Sequence, residues 1–211
     1  IGYRIEGNPD YYKPTTTYAL SYFSGNWYFG IQVKNDFDWH KHKHKPRSYS
    51  NSITVNIAKT LVNVASKSEK EKKLLDACCG VGTILLEACF AGYNIEGCDI
   101  NWKVCRHSRE NLAYFNYEAL VHRSDIKDLA QTYDAAIIDL PYNLYTSATD
   151  NQIINIVESA SAITDRLVIV STIDMLALIK SINFKLVDYC SVQKEGKGNF
   201  RRKIWVCEKK Q

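Results

Sequence analysis

The stretch between residues 72 and 99 most constrains the fold, because its pattern predicts a strand, a glycine loop, a helix and a second strand. Residues 73–76 form a short apolar run that ends in an acid. Gly80 and Gly82 then allow the backbone to approach a ligand, and residues 83–91 follow with a helical pattern. This order predicts a ligand-binding loop between a buried strand and the first turn of a helix.

Two acids indicate which ligand the loop binds. Residues 93–98 predict the second strand, which ends at Asp99, where a carboxylate can accept both hydroxyls of a ribose. Leu85 stands where the dinucleotide fingerprint has its third glycine, which argues against a pyrophosphate. Asp76 argues the same way, because a carboxylate repels phosphate and attracts a cation. S-adenosylmethionine, with a nucleoside at one end and an ammonium and a sulfonium at the other, meets both conditions; a purely structural strand-turn-helix is the alternative.

The cysteines and the charge limit the class of protein. The 211 residues include seven cysteines, an odd number without any C-x-x-C pair, and Cys78 and Cys79 are adjacent. The sequence has no segment that resembles a secretory signal or a membrane span. We therefore expect a cytoplasmic protein with reduced thiols and no zinc site. The net charge of +4 is only mildly basic and does not by itself imply nucleic acid.

The first residues predict a small appendage to one main domain. Residues 1–16 read as an irregular linker, and residues 17–23 and 27–33 as the strands of a hairpin. A lone hairpin is unstable, so we expect it to pack on the main domain. Because the chain starts at Ile1 without a methionine, we also expect missing upstream residues, with an upstream domain as one possibility.

Residues 39–47, Trp-His-Lys-His-Lys-His-Lys-Pro-Arg, form the most basic segment. Its alternate histidines would share one face of an extended strand and so suggest a metal site, but no carboxylate partner is evident. Its lysines and arginine suggest instead an arm that faces phosphates, with the tryptophan as a stacking surface. A solvated linker explains the pattern equally well. We place the boundary between the appendage, residues 1–47, and the main domain, residues 48–211, at the end of this arm.

Helical and strand patterns alternate on both sides of the glycine loop. Residues 48–65 predict a helix with Ser48 or Ser50 as its cap, and residues 102–115 predict another. A short strand follows over residues 119–122.

Asp125 is a third acid at the end of a predicted strand. It is placed either to accept a hydrogen bond from an adenine amino group or to cap a helix over residues 126–130. The pattern does not distinguish the two.

A second functional motif follows the predicted strand at residues 133–138. The strand runs into Asp139, Leu140, Pro141 and Tyr142. The carboxylate of Asp139 and the carbonyl of Leu140 can accept the two hydrogens of a ring amino group, which directs the nitrogen lone pair at the cofactor, while the tyrosine stacks on the ring. An ordinary strand followed by a turn is the alternative.

Together, D-A-C-C-G-V-G-T at residues 76–83 and D-L-P-Y at residues 139–142 resemble the Rossmann-like methyltransferases that use S-adenosylmethionine on exocyclic amino groups. The segment K-P-R-S-Y-S at residues 45–50 resembles, more narrowly, the RNA methylase family that includes the tRNA guanine-N2 methyltransferases. In that family the loop before the first helix helps to enclose the methionine end of the cofactor, which implicates Ser50 and Asn51.

The chain departs from the family pattern at two residues and in its length. Leu140 replaces the first proline of D-P-P-Y, and Asn143 stands where the tRNA enzymes usually have a glycine. Since Leu140 acts through its carbonyl, the chemistry survives, but the choice of base is open. Family members often carry an upstream RNA-binding domain, whereas only a linker and a hairpin are visible here.

The remaining pattern completes the fold class. Residues 184–192 and 203–207 predict strands joined by a loop too short for a parallel crossover, so they pair antiparallel. The expected fold is α/β: a Rossmann-like methyltransferase fold whose seven-stranded, mostly parallel sheet has one antiparallel edge strand, plus the small N-terminal hairpin. The basic loop at residues 194–202 either flanks the substrate or is a solvated hairpin.

The leading hypothesis is an S-adenosylmethionine-dependent methyltransferase that acts on a base amino group in RNA, with guanine N2 in tRNA as the first choice and no metal. Adenine in DNA or RNA, a protein glutamine, a non-catalytic RNA-binding module and a nicotinamide dehydrogenase are the alternatives. The predicted catalytic residues are Asp139, Leu140, Pro141 and Tyr142. The predicted cofactor-binding residues are Ser50, Asp76, Cys78, Gly80, Gly82, Thr83, Asp99, Ile100, Asp125 and Ile126.

Overall fold

The computed structural model describes residues 4–34, 37–49, 52–141, 150–193 and 201–210. The chain forms two compact units, residues 1–38 and 39–211. The sequence pattern predicted a boundary between domains after Arg47. The two compact units divide after Asp38, and Trp39 and His42 are buried side chains of the second unit, while the domain boundary stays a prediction.

The first unit contains the predicted hairpin. Strand β1 (Tyr18–Phe23) pairs antiparallel with β2 (Asn26–Ile31). Ser24 and Gly25 both have positive φ, which is typical of the tight turn that joins hairpin strands. All side chains of both strands are exposed.

The second unit alternates strands and helices, as predicted. A 3₁₀ helix (Asp38–His44) begins at the last residue of the first unit and continues into the second unit. The strands are β3 (Lys73–Asp76), β4 (Asn94–Asp99), β5 (Val121–Arg123), β6 (Ala135–Asp139), β7 (Arg166–Ser171), β8 (Phe184–Gln193) and β9 (Arg201–Lys209). The helices are α1 (Val55–Ser66), α2 (Thr83–Phe90), α3 (Trp102–Tyr114), α4 (Asp150–Ile163) and α5 (Leu176–Ser181), with a short 3₁₀ turn (Ile126–Asp128) after β5.

The seven strands form one sheet in the order β5-β4-β3-β6-β7-β9-β8. β3, β4, β5, β6 and β7 run parallel to one another, and β9 pairs antiparallel with both β7 and β8. The predicted sheet is confirmed, with the reversed strand one place in from the edge. The carboxyl ends of β3, β4 and β6 therefore meet at one edge of the sheet, where open α/β sheets bind ligands.

Both faces of the central strands β3, β6 and β7 are buried. Leu74 points into a core formed with α1, α2 and α3, and its neighbour Leu75 points into a second core formed with α4 and α5. A parallel strand covered on both faces needs continuous apolar residues, and this explains the unbroken apolar runs of β6 and β7.

Helix α1 begins later than the sequence predicted. It starts at Val55, and Thr54 caps it by accepting a hydrogen bond from the N–H of Ile57 at 3.5 Å. The predicted start and cap at Ser48 are wrong, because the first turn of the helix bonds to Thr54 and the Tyr49 carbonyl accepts from the N–H of Ser52 ahead of it. None of the helices within the described residues is both long and apolar enough to span a membrane.

Candidate active site

The glycine loop, residues 77–82, connects β3 to α2 at the ligand-binding edge of the sheet. Gly80 (φ +52°) and Gly82 (φ +81°) both adopt left-handed backbone conformations that favour glycine. A Cβ on Gly82 would collide with the hydroxyl of Ser108 on α3, whereas one on Gly80 would meet no atom within 4 Å. The two glycines therefore have different roles: Gly82 permits close packing on α3, and Gly80 leaves open space beside the loop.

Asp99 ends β4 beside this loop. Its carboxylate accepts hydrogen bonds from the N–H of Gly80 at 3.0 Å and from the N–H of Asn101 at 2.9 Å. Burial raises the pKa of Asp99, and these two bonds oppose that rise. The predicted ribose-binding acid is thus fixed against the glycine loop.

Asp76 is a fully buried acid at the end of β3. Neither of its carboxylate oxygens has a hydrogen-bond partner of good geometry. Burial raises its pKa well above the usual range, as does repulsion from Asp139 and Asp99, and only the nearby Cys78 amide acts in the opposite direction. A buried carboxyl surrounded by two other acids is suited to a cationic group and unsuited to a phosphate.

Two buried hydroxyls near the loop also lack a hydrogen-bond partner, those of Thr83 and Ser108. Buried polar atoms in proteins are nearly always bonded, so unpartnered ones indicate a ligand or ordered water. Together with Asp76 and Asp99 they fit S-adenosylmethionine, which carries a cationic end and ribose hydroxyls. In the described residues we find no group of three or more potential metal ligands.

The second motif begins at the end of β6, two strands from Asp99. The Leu140 N–H donates to the carbonyl of Val170 at 3.1 Å, and the Leu140 side chain is buried. This anchors the peptide that follows Asp139, while Pro141 is exposed. The side chains of Tyr142 and Asn143 lie outside the described residues.

The other predicted cofactor residues occupy varied positions. Ile126 is buried, whereas Ile100 is 73% exposed. Cys78 is half-buried, and burial raises the pKa of its thiol well above the usual range. Asp125 caps the short 3₁₀ turn through the N–H of Lys127 at 3.3 Å, which accounts for one of its oxygens. Its adenine contact stays a prediction, and Ser50 lies outside the described residues.

Residues 39–44 are neither an extended strand nor a free arm. They lie in the 3₁₀ helix, and Trp39 and His42 are buried. His42 Nδ1 lies 2.6 Å from Oε1 of Glu87 on α2, and its Nε2 lies 3.1 Å from the Tyr117 hydroxyl. The predicted stacking surface at Trp39 is therefore wrong, because the ring is only 7% exposed and faces Lys59.

The predicted basic loop is largely outside the described residues, which resume at Arg201. Arg202 is 2% exposed, so its side chain neither flanks a substrate nor faces solvent, and for the rest of the loop the two alternatives stay open. Arg201 is exposed.

Sequence reasoning missed Asn111, which is fully buried on α3. It bonds to the backbone of both Arg47 and Val81. Its position three residues after Ser108, on the helix face that also carries Cys105, is the signal that was available: polar residues at helical spacing on a buried face.

A family model and two relatives match part of the chain. The family model described as "RMKL-like, methyltransferase domain" matches residues 43–166, more than half of the sequence. The tRNA (guanine(10)-N2)-dimethyltransferase of Methanothermobacter thermautotrophicus is 34% identical over 99 residues, 46% of this chain and 29% of that protein. The protein of the same name from Methanocaldococcus jannaschii is 32% identical over 102 residues, 43% of this chain and again 29% of the relative. The aligned region is thus under a third of each relative.

Solved structures share the fold at low identity. TrmN from Thermus thermophilus superposes with a TM-score of 0.64 at 19% identity, covering 95% of this chain and 61% of that one. The 16S rRNA N2 G1207 methyltransferase RsmC from the same organism, in complex with AdoMet and guanosine, gives 0.60 at 13% identity, covering 94% of this chain and 52% of that one. The family match and these folds confirm the resemblance that the two motifs suggested.

Proposed function

The chain belongs to the family of RMKL-like methyltransferase domains, and we propose that it transfers a methyl group from S-adenosylmethionine to an exocyclic amino group of an RNA base, guanine N2 in tRNA. The observation that carries the proposal is Asp76: a buried acid without a hydrogen-bond partner of good geometry, between Asp99 and the D-L-P-Y motif. The names of the two archaeal relatives support the choice of guanine in tRNA.

The cofactor residues would divide the ligand between them. Asp76 attracts the cationic end, and Asp99 accepts the ribose hydroxyls with the lone pairs that the Gly80 and Asn101 amides leave unused. When bound, S-adenosylmethionine supplies an electrophilic methyl group on its sulfonium.

The D-L-P-Y motif would hold the base. Asp139 and the Leu140 carbonyl accept the two amino hydrogens, so that the nitrogen lone pair faces the methyl group. Such orientation contributes up to about 7 kcal/mol, which matters because the lone pair of a ring amino group is delocalised. After attack the nitrogen loses a proton to Asp139 or to water. Tyr142 stacks on the base in this proposal, and a paired base has to be flipped out first.

Exposed cationic side chains in the segment before α1 would contact the RNA backbone. Lys43 and Arg47 are exposed and lie in the segment that precedes α1, and Arg47 would exchange its ion pair with Glu110 for a phosphate. The seven free cysteines suit the reducing cytoplasm, where tRNA is modified, and we include this location in the proposal.

Methyl transfer to defined nucleic acids tests the proposal. Labelled S-adenosylmethionine is incubated with unmodified tRNA, rRNA and DNA, and the modified nucleoside is identified. We expect N2-methylguanosine in tRNA, and a rate at least ~10²-fold lower in Asp139→Ala and Asp139→Asn, since orientation is lost. Both variants should bind S-adenosylmethionine as the wild type does. Label on adenine, or in DNA alone, would change the substrate, and binding of NAD instead of S-adenosylmethionine would refute the mechanism.

A further inference from the structure

We infer that Asn111 is a positioning residue whose side chain joins the leading segment, residues 45–49, to the glycine loop, and that the affinity for S-adenosylmethionine depends on this joint. The inference rests on the proposed function. It assigns a role in cofactor binding to a residue of α3 that belongs to neither motif.

The carboxamide of Asn111 makes three hydrogen bonds to backbone. Its Oδ1 accepts from the N–H of Arg47 at 2.8 Å, and its Nδ2 donates to the carbonyls of Arg47 and Val81, each at 2.8 Å. These bonds use the acceptor and both donors of the amide. Aspartate has the same shape but no donors, so it would face two carbonyl oxygens with negative charge.

The neighbours of Asn111 on α3 reinforce the joint. One turn earlier, Ser108 packs against Gly82 so closely that a Cβ there would collide with its hydroxyl. Glu110 binds the Arg47 side chain at 2.5 Å. Helix α3 therefore contacts the leading segment through both backbone and side chain, and the glycine loop at two successive residues.

The bond to Val81 fixes a peptide at the centre of the ligand-binding loop. The preceding glycine, Gly80, donates its N–H to Asp99, and the following one, Gly82, precedes the first residue of α2. The loop is thus held on one side by the ribose acid and on the other by Asn111. Without the bond from Asn111, the glycine loop has more conformations available in the free protein. Binding of the cofactor then has to order the loop, and this entropic cost weakens the affinity.

Calorimetric titration of the full chain with S-adenosylmethionine tests the inference. We expect Asn111→Asp to raise the dissociation constant at least 10-fold, as happens when residues that orient the ligands of a metal are removed. KM for the cofactor should rise as well, while kcat at saturation should stay within about 3-fold of the wild type. If Asn111→Asp shows no cooperative unfolding transition and is therefore not folded, Asn111→Ser is titrated in its place. The serine side chain is neutral and too short to reach both carbonyls.

A matched control separates positioning from general stability. Arg166 also ties elements together through a backbone carbonyl, that of Val64 at 3.0 and 3.2 Å, but on β7 away from the loop. Arg166→Gln should lower the melting temperature and leave the dissociation constant within 2-fold of the wild type. Wild-type affinity in a folded Asn111→Asp, or equal losses in Arg166→Gln, would overturn the inference alone. A wild type that does not bind S-adenosylmethionine would overturn the proposed function as well.

Discussion

The carboxylate of Asp99 accepts a hydrogen bond from the N–H of Gly80 at 3.0 Å, which ties the end of β4 to the glycine loop that follows β3. The two groups belong to neighbouring parallel strands, so the bond closes the corner where a ribose would lie. Each oxygen of Asp99 accepts one amide, and each keeps one lone pair for a ribose hydroxyl.

We expect Asp99→Ala to weaken S-adenosylmethionine binding roughly 10²-fold or more, since hydrogen bonds to a charged acceptor contribute about 1.5–3 kcal/mol each. Asp99→Asn, which keeps one acceptor, should lose roughly 10-fold. Calorimetric titration measures both. Asp125→Asn is the control, because asparagine caps a helix as well as aspartate does. A loss of S-adenosylmethionine affinity above roughly 3-fold in this variant would therefore favour a contact with the cofactor over a capping role alone.

Asp76 should destabilise the ligand-free protein at neutral pH. Its pKa in the folded state is raised above the ordinary 3.8, so the folded state binds more protons than the unfolded chain does. The free energy of unfolding should therefore fall as the pH rises from about 4 through the folded-state pKa. Asp76→Asn should remove the contribution of Asp76 to this dependence and stabilise the protein at pH 8 by roughly 1 kcal/mol or more, because a neutral amide avoids the buried charge and each pKa unit corresponds to about 1.4 kcal/mol. Urea unfolding between pH 4.5 and pH 8 measures it, and a stability of the wild type that rises across this range would contradict it.

Cofactor binding should release a proton from Asp76. A cationic group beside the carboxylate favours ionisation, so the raised pKa falls when the ligand binds. Calorimetry in buffers of different ionisation enthalpy counts the protons released. We expect up to one proton for the wild type below the raised pKa and none for whatever binding persists in Asp76→Asn.

Gly82 and Gly80 should respond differently to alanine, although both have positive φ. Gly82→Ala adds a collision with Ser108 to the backbone strain, so we expect a loss of about 2–4 kcal/mol in unfolding free energy. Gly80→Ala meets open space and should cost only about 1 kcal/mol. The double variant Gly82→Ala with Ser108→Gly should recover part of the first loss. Equal losses at both glycines would show that strain alone decides.

The parallel core was predictable because its signals are local. The apolar run predicted over residues 73–76 has the bounds of β3, Lys73–Asp76. Each buried strand needs a continuous apolar run, and each run is interrupted where the chain leaves the sheet. The start of α1 was not predictable in this way, because several serines and a threonine precede it and, of those within the described residues, Thr54 is the one that bonds to the first turn.

The surroundings of the site depend on contacts between residues far apart in the sequence. His42 is basic and flanked by lysines, which predicts exposure, yet Glu87 and Tyr117, 45 and 75 residues away, enclose it. Asn111 meets Arg47 across 64 residues. Burial of a polar side chain is favourable only where a partner meets it, and the sequence around each residue does not show that partner.

The last prediction concerns Glu96, a buried acid of β4 whose carboxylate binds Lys73 at 2.9 Å, His122 at 2.9 Å and the Tyr133 hydroxyl at 2.9 Å. Burial acts to raise its pKa, but the bonds from these three groups outweigh burial and lower the pKa from 4.5 to about 2. Because the folded-state pKa is depressed, the stabilisation is complete above the unfolded value and is lost as the pH falls towards 2. We expect Glu96→Gln to lower the free energy of unfolding at pH 7 by about 2–3 kcal/mol, and by much less near pH 3. Urea unfolding at the two pH values measures the difference. An equal loss at both would show that packing of the side chain, and not its charge, stabilises this end of the sheet.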